Sequence, residues 1–404
     1  IRTPVGNLLH TGDWKLDPEP LVGANFDQKR LERLQDDNIL ALIGDSTNAM
    51  APGHSGSEMD VRTALKELVG SLDNRVVMTC FATNVARLQT AAEVAIATGR
   101  SLCLVGRSMH NMVRAAQECG YLQDLPELVA ERDLQHLPRD HVLLLMTGSQ
   151  GESRSALSRT AREEHPNVVL EAGDHVIFSS RVIPGNEKAI HTLQNRLVQR
   201  NIEVLTEEDH FVHVSGHPCR DELTQMYQWV RPKIAVPMHG EPRHLLSHAR
   251  LADSLQVPHS IVPADGTMIR LAPGDAPEII DHVPVGRMAL DGTKILPTDS
   301  GSIRERRKMG FAGVAVLTLV VDADGQIEDD PQLSAFGLFG EEEEDEEAID
   351  AAIDAVEAAI QKLRVHDRRR DEIVHETARL ALRRFLQRET GRKPHTEIHL
   401  VRLE

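Results

Sequence analysis

Short apolar runs alternate with amphipathic stretches along the first half of this 404-residue chain. Residues 38–44, 75–80, 101–105, 142–146 and 175–178 are rich in Val, Leu, Ile and Met, and each reads as a buried strand. Between them, residues 57–72, 85–98, 107–119, 152–164 and 187–200 repeat apolar positions at helical spacing. Asn84 stands where a helix N-cap is expected. Each strand runs into a polar loop: Asp45-Ser-Thr-Asn48, Phe81-Ala-Thr-Asn84, Gly106-Arg-Ser-Met109, Thr147-Gly-Ser-Gln-Gly-Glu152 and Ser179-Ser-Arg-Val-Ile-Pro-Gly-Asn186. This alternation predicts a doubly wound α/β layer on a parallel sheet. Ligands of such sheets bind beyond the carboxyl ends of the strands, the edge these loops occupy.

The same reading continues with a strand over 211–214, a helix over 221–230, a strand over 234–237 and a helix over 241–254. A β-rich stretch follows, through 261, 268–271 and 278–283. Residues 314–321 form a long buried-type strand, and Asp322-Ala-Asp-Gly325 reads as a hairpin turn. Two helices over 348–363 and 371–388 and an alternating strand over 396–403 make the last hundred residues a small α+β domain. At the other end, residues 1–13 read as a strand pair already in progress, without an initiator Met. We expect the chain to be the C-terminal portion of a longer protein.

Composition narrows the function classes. Hydrophobic residues make up 41% of the chain and aromatics 3%, so the cores must be aliphatic. No apolar run approaches the ~20 residues that span a bilayer, and no signal peptide is visible. Cys80, Cys103, Cys119 and Cys219 are scattered and form no C-x-x-C pair, as expected of reduced thiols in the cytoplasm. The formal net charge of -17 argues against a general nucleic-acid coat, though not against an enzyme with a locally basic channel. Part of that acidity lies in seven consecutive acids, residues 341–347, expected as a solvated loop or helix N-terminus.

The candidate chemistry is histidine-rich. His213-Val-Ser-Gly-His217 and the stretch from Pro237 to His248 place His213, His217, His239, His244 and His248 close together in sequence. Histidine is the commonest metal ligand and titrates near neutral pH. His10-Thr-Gly-Asp13 adds a histidine and a carboxylate, and Gly44-Asp45 a second carboxylate. Taken singly, each of these residues is as readily a turn cap or a satisfied loop side chain. Together they point to a metal or proton-transfer site, but catalytic zinc takes about three protein ligands and an open position. No H-x-H-x-D-H is present to complete the set.

His10-Thr-Gly-Asp13, Gly44-Asp-Ser-Thr-Asn48, Phe81-Ala-Thr-Asn84, Gly106-Arg-Ser-Met109, Thr147-Gly-Ser-Gln-Gly-Glu152, His213-Val-Ser-Gly-His217 and Met238-His-Gly-Glu241 together resemble ribonuclease J. That family is the bacterial and archaeal branch of the metallo-β-lactamase enzymes with a β-CASP insertion. The resemblance implies a partial metallo-β-lactamase αββα domain with an inserted doubly wound β-CASP domain, plus the C-terminal α+β domain. The segments would be 1–50, a β-CASP domain over 51–225, a returning segment over 226–301, and 302–404. It implies that Asp13 bridges two zinc ions and that His239 binds one of them, with manganese or magnesium as alternative metals. Asp45 and His217 would be the catalytic acid and histidine beside the scissile phosphate. Phe81, Ala82 and Thr83 would contact substrate, as would His213, Val214, Ser215, Gly216 and His217. Asp291 is similar to a residue that binds a structural calcium, although an Asp-Gly turn explains it better.

The activity implied is 5′→3′ exonucleolytic and endonucleolytic RNA hydrolysis, with a preference for 5′-monophosphate ends, in a cytoplasmic homodimer or homotetramer that does not engage membranes. Ser149, Thr83 and Ser215-Gly216 would hold substrate phosphates, and Arg87, Arg107 and Arg181 would form a basic lining. The clusters Arg304–Lys308 and Arg368–Arg370 would serve assembly. The family's H-x-H-x-D-H and the next single histidine lie upstream of the Asp13 position, so the 404 residues alone are expected to bind zinc poorly and to be inactive. Two other readings compete: a non-catalytic RNA-binding or assembly subunit, and a small-molecule metallo-hydrolase of the same superfamily.

Overall fold

The computed structural model describes residues 1–340 and 343–403. The chain divides into two compact units, 1–283 and 284–404. Besides an antiparallel ribbon of Thr267–Arg270 and Glu278–His282, ten strands organise the first: β1 (Arg2–Thr3), β2 (Gly6–His10), β3 (Ile39–Asp45), β4 (Val76–Thr79), β5 (Ser101–Val105), β6 (Val142–Met146), β7 (His175–Phe178), β8 (Glu203–Leu205), β9 (Ile234–Met238) and β10 (His259–Ser260). They form two sheets, ordered β1-β2-β3-β9-β10 and β5-β6-β4-β7-β8.

The second of these is parallel throughout. Its strands are largely apolar because both faces are covered, with Thr79, Ser101, His175 and Glu203 at strand ends as the polar exceptions. Val76, Met78, Leu143 and Leu145 point into one core, while Val77, Leu144 and Met146 point into the other. Alternate residues of a strand face opposite sides, so a sheet packed by helices on both faces needs no polar side. Helices Glu58–Gly70 and Val85–Ala97 supply one layer, capped by the Ser57 and Asn84 side chains, which accept from the Met59 and Arg87 amides. Helices Ala156–Ala161 and Glu187–Gln199 supply the other. The first of this pair is shorter than its sequence pattern suggested.

In the other sheet β2, β3, β9 and β10 run parallel, with β1 folded back on β2 as an antiparallel hairpin. The carboxyl ends of β2, β3 and β9 therefore open on one edge. Residues 211–214, expected as a strand, pair with no other strand. Side chains take over the backbone bonding there: Arg87 Nη1 and Ser179 Oγ both donate to the Val212 carbonyl, at 2.9 and 2.7 Å. Val212 and Val214 are buried as core plugs.

The second unit places strand Val314–Val321 between an antiparallel strand, Gln332–Phe336, and a parallel one, His395–Arg402. Ala315, Leu317, Leu319 and Val321 bury one face against helices Glu343–Gln361 and Asp371–Thr390. Asp322–Gly325 forms the expected turn, with φ of +77° at Gly325. Helix Gly301–Ala312 carries the basic cluster; only Ile303 and Ala312 in it are buried, which left little periodic signal to read. Glu341 and Glu342 of the acidic run lie outside the described residues. Among the described residues, no helix is long and apolar enough to cross a membrane.

The chain crosses from the β1-containing sheet to the β5-containing one around residue 50 and returns around residue 215. Glu222, fully buried in helix Arg220–Val230, ties these passages together. Its carboxylate accepts from the amides of Leu16 (2.9 Å), Ser55 (2.8 Å) and Cys219 (2.7 Å) and from the Ser55 hydroxyl (2.8 Å). A buried carboxylate with four donors is satisfied, and removing it orphans all four. Glu222→Ala should destabilise the first unit by about 3 kcal/mol. Urea denaturation followed by circular dichroism measures this, and a change within about 0.5 kcal/mol, as for an ordinary surface site, contradicts it.

Candidate metal centre

Three of the four candidate residues arrive on the open edge of the β1-containing sheet. Asp13 follows β2 through the turn at Gly12, Asp45 ends β3, and His239 follows β9. The fourth, His217, comes from the returning loop. Their ligand atoms all lie within 4.8 Å of one another. Two carboxylates and two imidazoles are a donor set suited to zinc and to other divalent ions, so the residues present fit such a group. No other cluster of three or more potential ligands occurs among the described residues.

The four are not equivalent. The Asp45 side chain is fully buried, and both of its oxygens are engaged. Oδ2 bonds His217 Nδ1 at 2.6 Å, and Oδ1 accepts from the Thr47 amide and hydroxyl at 2.9 and 2.7 Å. Burial acts to raise the Asp45 carboxyl, but the bonds from His217 and Thr47 outweigh it and hold the group below its ordinary value. In turn, the Asp45 bond raises His217 above the usual histidine value, against the effect of burial. The pair is thus biased toward carboxylate and imidazolium. Asp13 and the His239 ring are exposed and are the freer donors; His239 Nδ1 lies 3.7 Å from Asp13 Oδ1 and 3.5 Å from Asp45 Oδ1.

His239 has a φ of +54°, in the left-handed region that favours glycine. Thr47, which sequence reading passed over, holds it there. The Thr47 hydroxyl sits 2.9 Å from His239 Nδ1 and 3.1 Å from its carbonyl oxygen, and the Ser46 amide donates to the same carbonyl at 3.3 Å. The His217 and His239 rings are stacked, with centroids 5.2 Å apart.

The remaining histidines do other work. His244 Nδ1 accepts from the Glu241 amide at its helix start. His10 is exposed and accepts from the Gly12 amide. His248 is completely buried beneath the Asp45 loop. Its Nδ1 meets Ser46 Oγ at 2.8 Å and its Nε2 meets Tyr227 Oη at 2.9 Å. A neutral ring serves both, donating with one nitrogen and accepting with the other. Gly44 lets the ring in: a Cβ at Gly44 would stand 3.2 Å from His248 Cε1.

Phe81, Ala82 and Thr83 form the loop at the carboxyl end of β4, where Ala82 packs on the core beneath. Ser215 Oγ receives bonds from Asn48 Nδ2 (2.7 Å) and from the His217 amide (3.1 Å), Gly216 is exposed, and Val214 turns its side chain inward. His213 is pushed down to about 3, by burial first and then by the cations Arg87, Arg181 and Lys15. Of the three arginines expected to line a channel, Arg107 and Arg181 are exposed. Arg87 is not, and that expectation is corrected: it is fully buried, paired with Glu58 at 2.8 Å and bonded to the Val212 carbonyl. Its charge supports the returning loop from below. In the second unit, Asp291 is bound by Arg306 at 2.6 Å.

Comparison with known proteins now bears on this arrangement. Residues 73–197 match the family "Ribonuclease J, beta-CASP domain", 201–263 the "Zn-dependent metallo-hydrolase RNA specificity domain", and 301–403 the "Ribonuclease J C-terminal domain". The whole chain aligns with ribonuclease J of Sinorhizobium meliloti at 41% identity over 403 residues, covering 71% of that protein. The chain belongs to the ribonuclease J family. Ribonuclease J of Thermus thermophilus is 34% identical over 98% of this chain and 68% of its own length. That of Corynebacterium glutamicum is 37% identical over 84% of this chain, but only 48% of its own length is covered. The two α/β sheets of the first unit and the α+β second unit accord with the metallo-β-lactamase and β-CASP fold of ribonuclease J.

Burial of His248 in this family member has a thermodynamic consequence. Burial pushes its pKa from 6.5 down to about 4. The unfolded chain therefore takes up a proton between those values while the folded chain does not. Its contribution is complete above about pH 6.5 and is lost as pH falls toward 4, amounting to about 3 kcal/mol. His213 acts in the same direction. Thermal unfolding from pH 7.5 to 4.5 should fall more steeply for the native chain than for His248→Gln. Parallel curves would show that His248 is not the titrating group.

Proposed function

We propose that this chain is the substrate-gripping and partial metal-binding portion of a metal-dependent RNA hydrolase that acts 5′→3′ from 5′-monophosphate ends and also internally. The observation that carries this reading is the convergence of Asp13, Asp45, His217 and His239 within 4.8 Å at the carboxyl edge of one sheet. Asp13 and His239 are the ligands, since neither is locked in a short bond to another ionisable group. Zinc is the favoured ion, two per complete site, with manganese or magnesium as alternatives. When bound, the divalent ions supply Lewis acidity toward water and phosphate.

The protein's own groups do the rest. The Asp45 bond keeps a proton on His217, whose Nε2–H has no hydrogen-bond partner among the described residues. That N–H faces the phosphate, offsetting developing charge or delivering a proton to the leaving oxygen. Asp45 orients the ring and is a positioning carboxylate. Thr83, Ser215 and the Gly216 amide hold flanking phosphates, with Arg181 beside them. Residues 51–225 form the β-CASP insertion between metallo-β-lactamase segments 1–50 and 226–301, with 302–404 serving assembly of a cytoplasmic homodimer or homotetramer. Catalytic metal sites take about three protein ligands and an open position, so the 404 residues by themselves should bind metal weakly and turn over slowly.

The test compares the longer gene product, its His217→Ala and His239→Ala variants, and the 404-residue chain on 5′-monophosphorylated RNA with Zn2+ or Mn2+. The longer protein should release mononucleotides, and His217→Ala should slow release about 100-fold or more while leaving RNA binding intact. Binding without cleavage by any of these proteins would turn the reading to a non-catalytic RNA-binding subunit.

A further inference from the structure

Beyond the metal centre, the carboxyl edge of the parallel sheet holds a small cavity of about 90 Å³. It lies where Ser149 follows β6, Ser180 follows β7 and Glu207 follows β8. Phe178 and Ile190, 3% and 1% exposed, supply an apolar floor. Ser149 and Ser180 are 2% and 6% exposed, and neither hydroxyl has a hydrogen-bond partner among the described residues. Neither hydroxyl is sealed from solvent, so each is open to a partner that enters the cavity. The Glu207 and Glu208 carboxylates at the mouth likewise accept no bond from the protein. The cavity thus sets a small apolar patch beside polar groups that have no partner among the described residues.

Its size and chemistry choose the ligand. One water needs about 10–15 Å³ by the same kind of measure, so the space suits a planar ring system rather than a folded peptide. Two carboxylates repel phosphate, so the phosphate end of a nucleotide belongs elsewhere. Arg181, next to Ser180, is the adjacent cation. It bonds Asn48 Oδ1 at 3.1 Å, and Asn48 bonds Ser215 Oγ and the His217 carbonyl. A short chain of side chains thus connects the pocket's rim to the metal centre.

We infer that this pocket receives an unstacked base of the RNA strand and favours guanine. The inference rests on the RNA reading above. Single-stranded RNA is read by splaying bases onto apolar or aromatic surfaces and bonding their Watson–Crick edges. Guanine presents two adjacent N–H donors there, which a carboxylate accepts together. Adenine and cytosine set a ring acceptor beside their amino group, and uracil flanks its single N–H with two carbonyls, so each places a lone pair against the carboxylate.

The experiment is isothermal titration of the 404-residue chain with the heptamers r(UUUGUUU), r(UUUAUUU), r(UUUCUUU) and r(UUUUUUU), repeated with the Glu207→Gln/Glu208→Gln double variant. Both glutamates are exposed at the mouth, so the variant should keep the native circular dichroism and melting curve. The guanine heptamer should bind about tenfold more tightly than the others, and the double variant should lose that preference while still binding the uridine heptamer. Base-blind binding by the native chain, or a preference unchanged in the variant, overturns the inference and leaves the RNA reading standing. Failure of every heptamer to bind overturns the RNA reading and this inference with it. Titration with spermidine is the control: saturable binding abolished in the double variant, without base preference, would make the pocket an amine site instead.

Discussion

The bond between Asp45 and His217 is the contact on which the centre's geometry depends. It joins the end of β3 to a loop 172 residues further along the chain. A carboxylate sealed from water must be met by donors or be neutralised. Here the donors are the His217 ring and the amide and hydroxyl of Thr47. Each donor is itself placed by the demand: His217 gains a fixed ring plane and a held proton, and Thr47 is turned so that it also reaches His239. One buried charge thereby sets the positions of both histidines of the centre. His248 completes this from beneath through Ser46, the residue between Asp45 and Thr47.

Such an arrangement survives only if the chain crossings are rigid, and two further buried carboxylates make them so. Glu222 gathers amides from residues 16, 55 and 219. Asp17 accepts from the Ser57 hydroxyl and from the Glu58 and Glu19 amides, and lies 3.4 Å from Lys15. Burial acts to raise the Asp17 carboxyl, and these bonds, with the Lys15 charge, bring it below its ordinary value. The segments bearing Asp13, Asp45 and His217 are thus each fixed close to the site, on either side of the crossing.

Local pattern carried much of this. The runs at 142–146 and 175–178 became strands with those bounds, because strands inside a parallel sheet covered on both faces are mostly apolar, here with His175 as the one polar residue at a strand start. Asn84 caps its helix as read. Elements too short or too polar to show a period were passed over: Glu203–Leu205 has three residues, and Gln28–Arg33 buries none of its six. Residues 211–214 alternate like a strand, yet their partners are the Arg87 and Ser179 side chains, which nothing local announces. The motif residues Asp13, Asp45, His217 and His239 stood out by type. Their division into a buried ion pair and two exposed donors, and the separation of His248 from the centre, depend on contacts made across about two hundred residues, whereas His244 is turned aside by its own helix start.

Net charge is similarly a poor guide to the local field. The chain carries a formal charge of -17, yet its acids are unevenly spread, with seven in one run at 341–347. Around the returning loop the balance reverses. Arg87, Arg181 and Lys15 all act to lower the His213 pKa, so this imidazole sits in a positive local potential in addition to being buried. Arg87 is paired with Glu58 and Lys15 lies near Asp17, while Arg181 bonds the neutral amide of Asn48. Of these three cations, Arg181 alone is exposed.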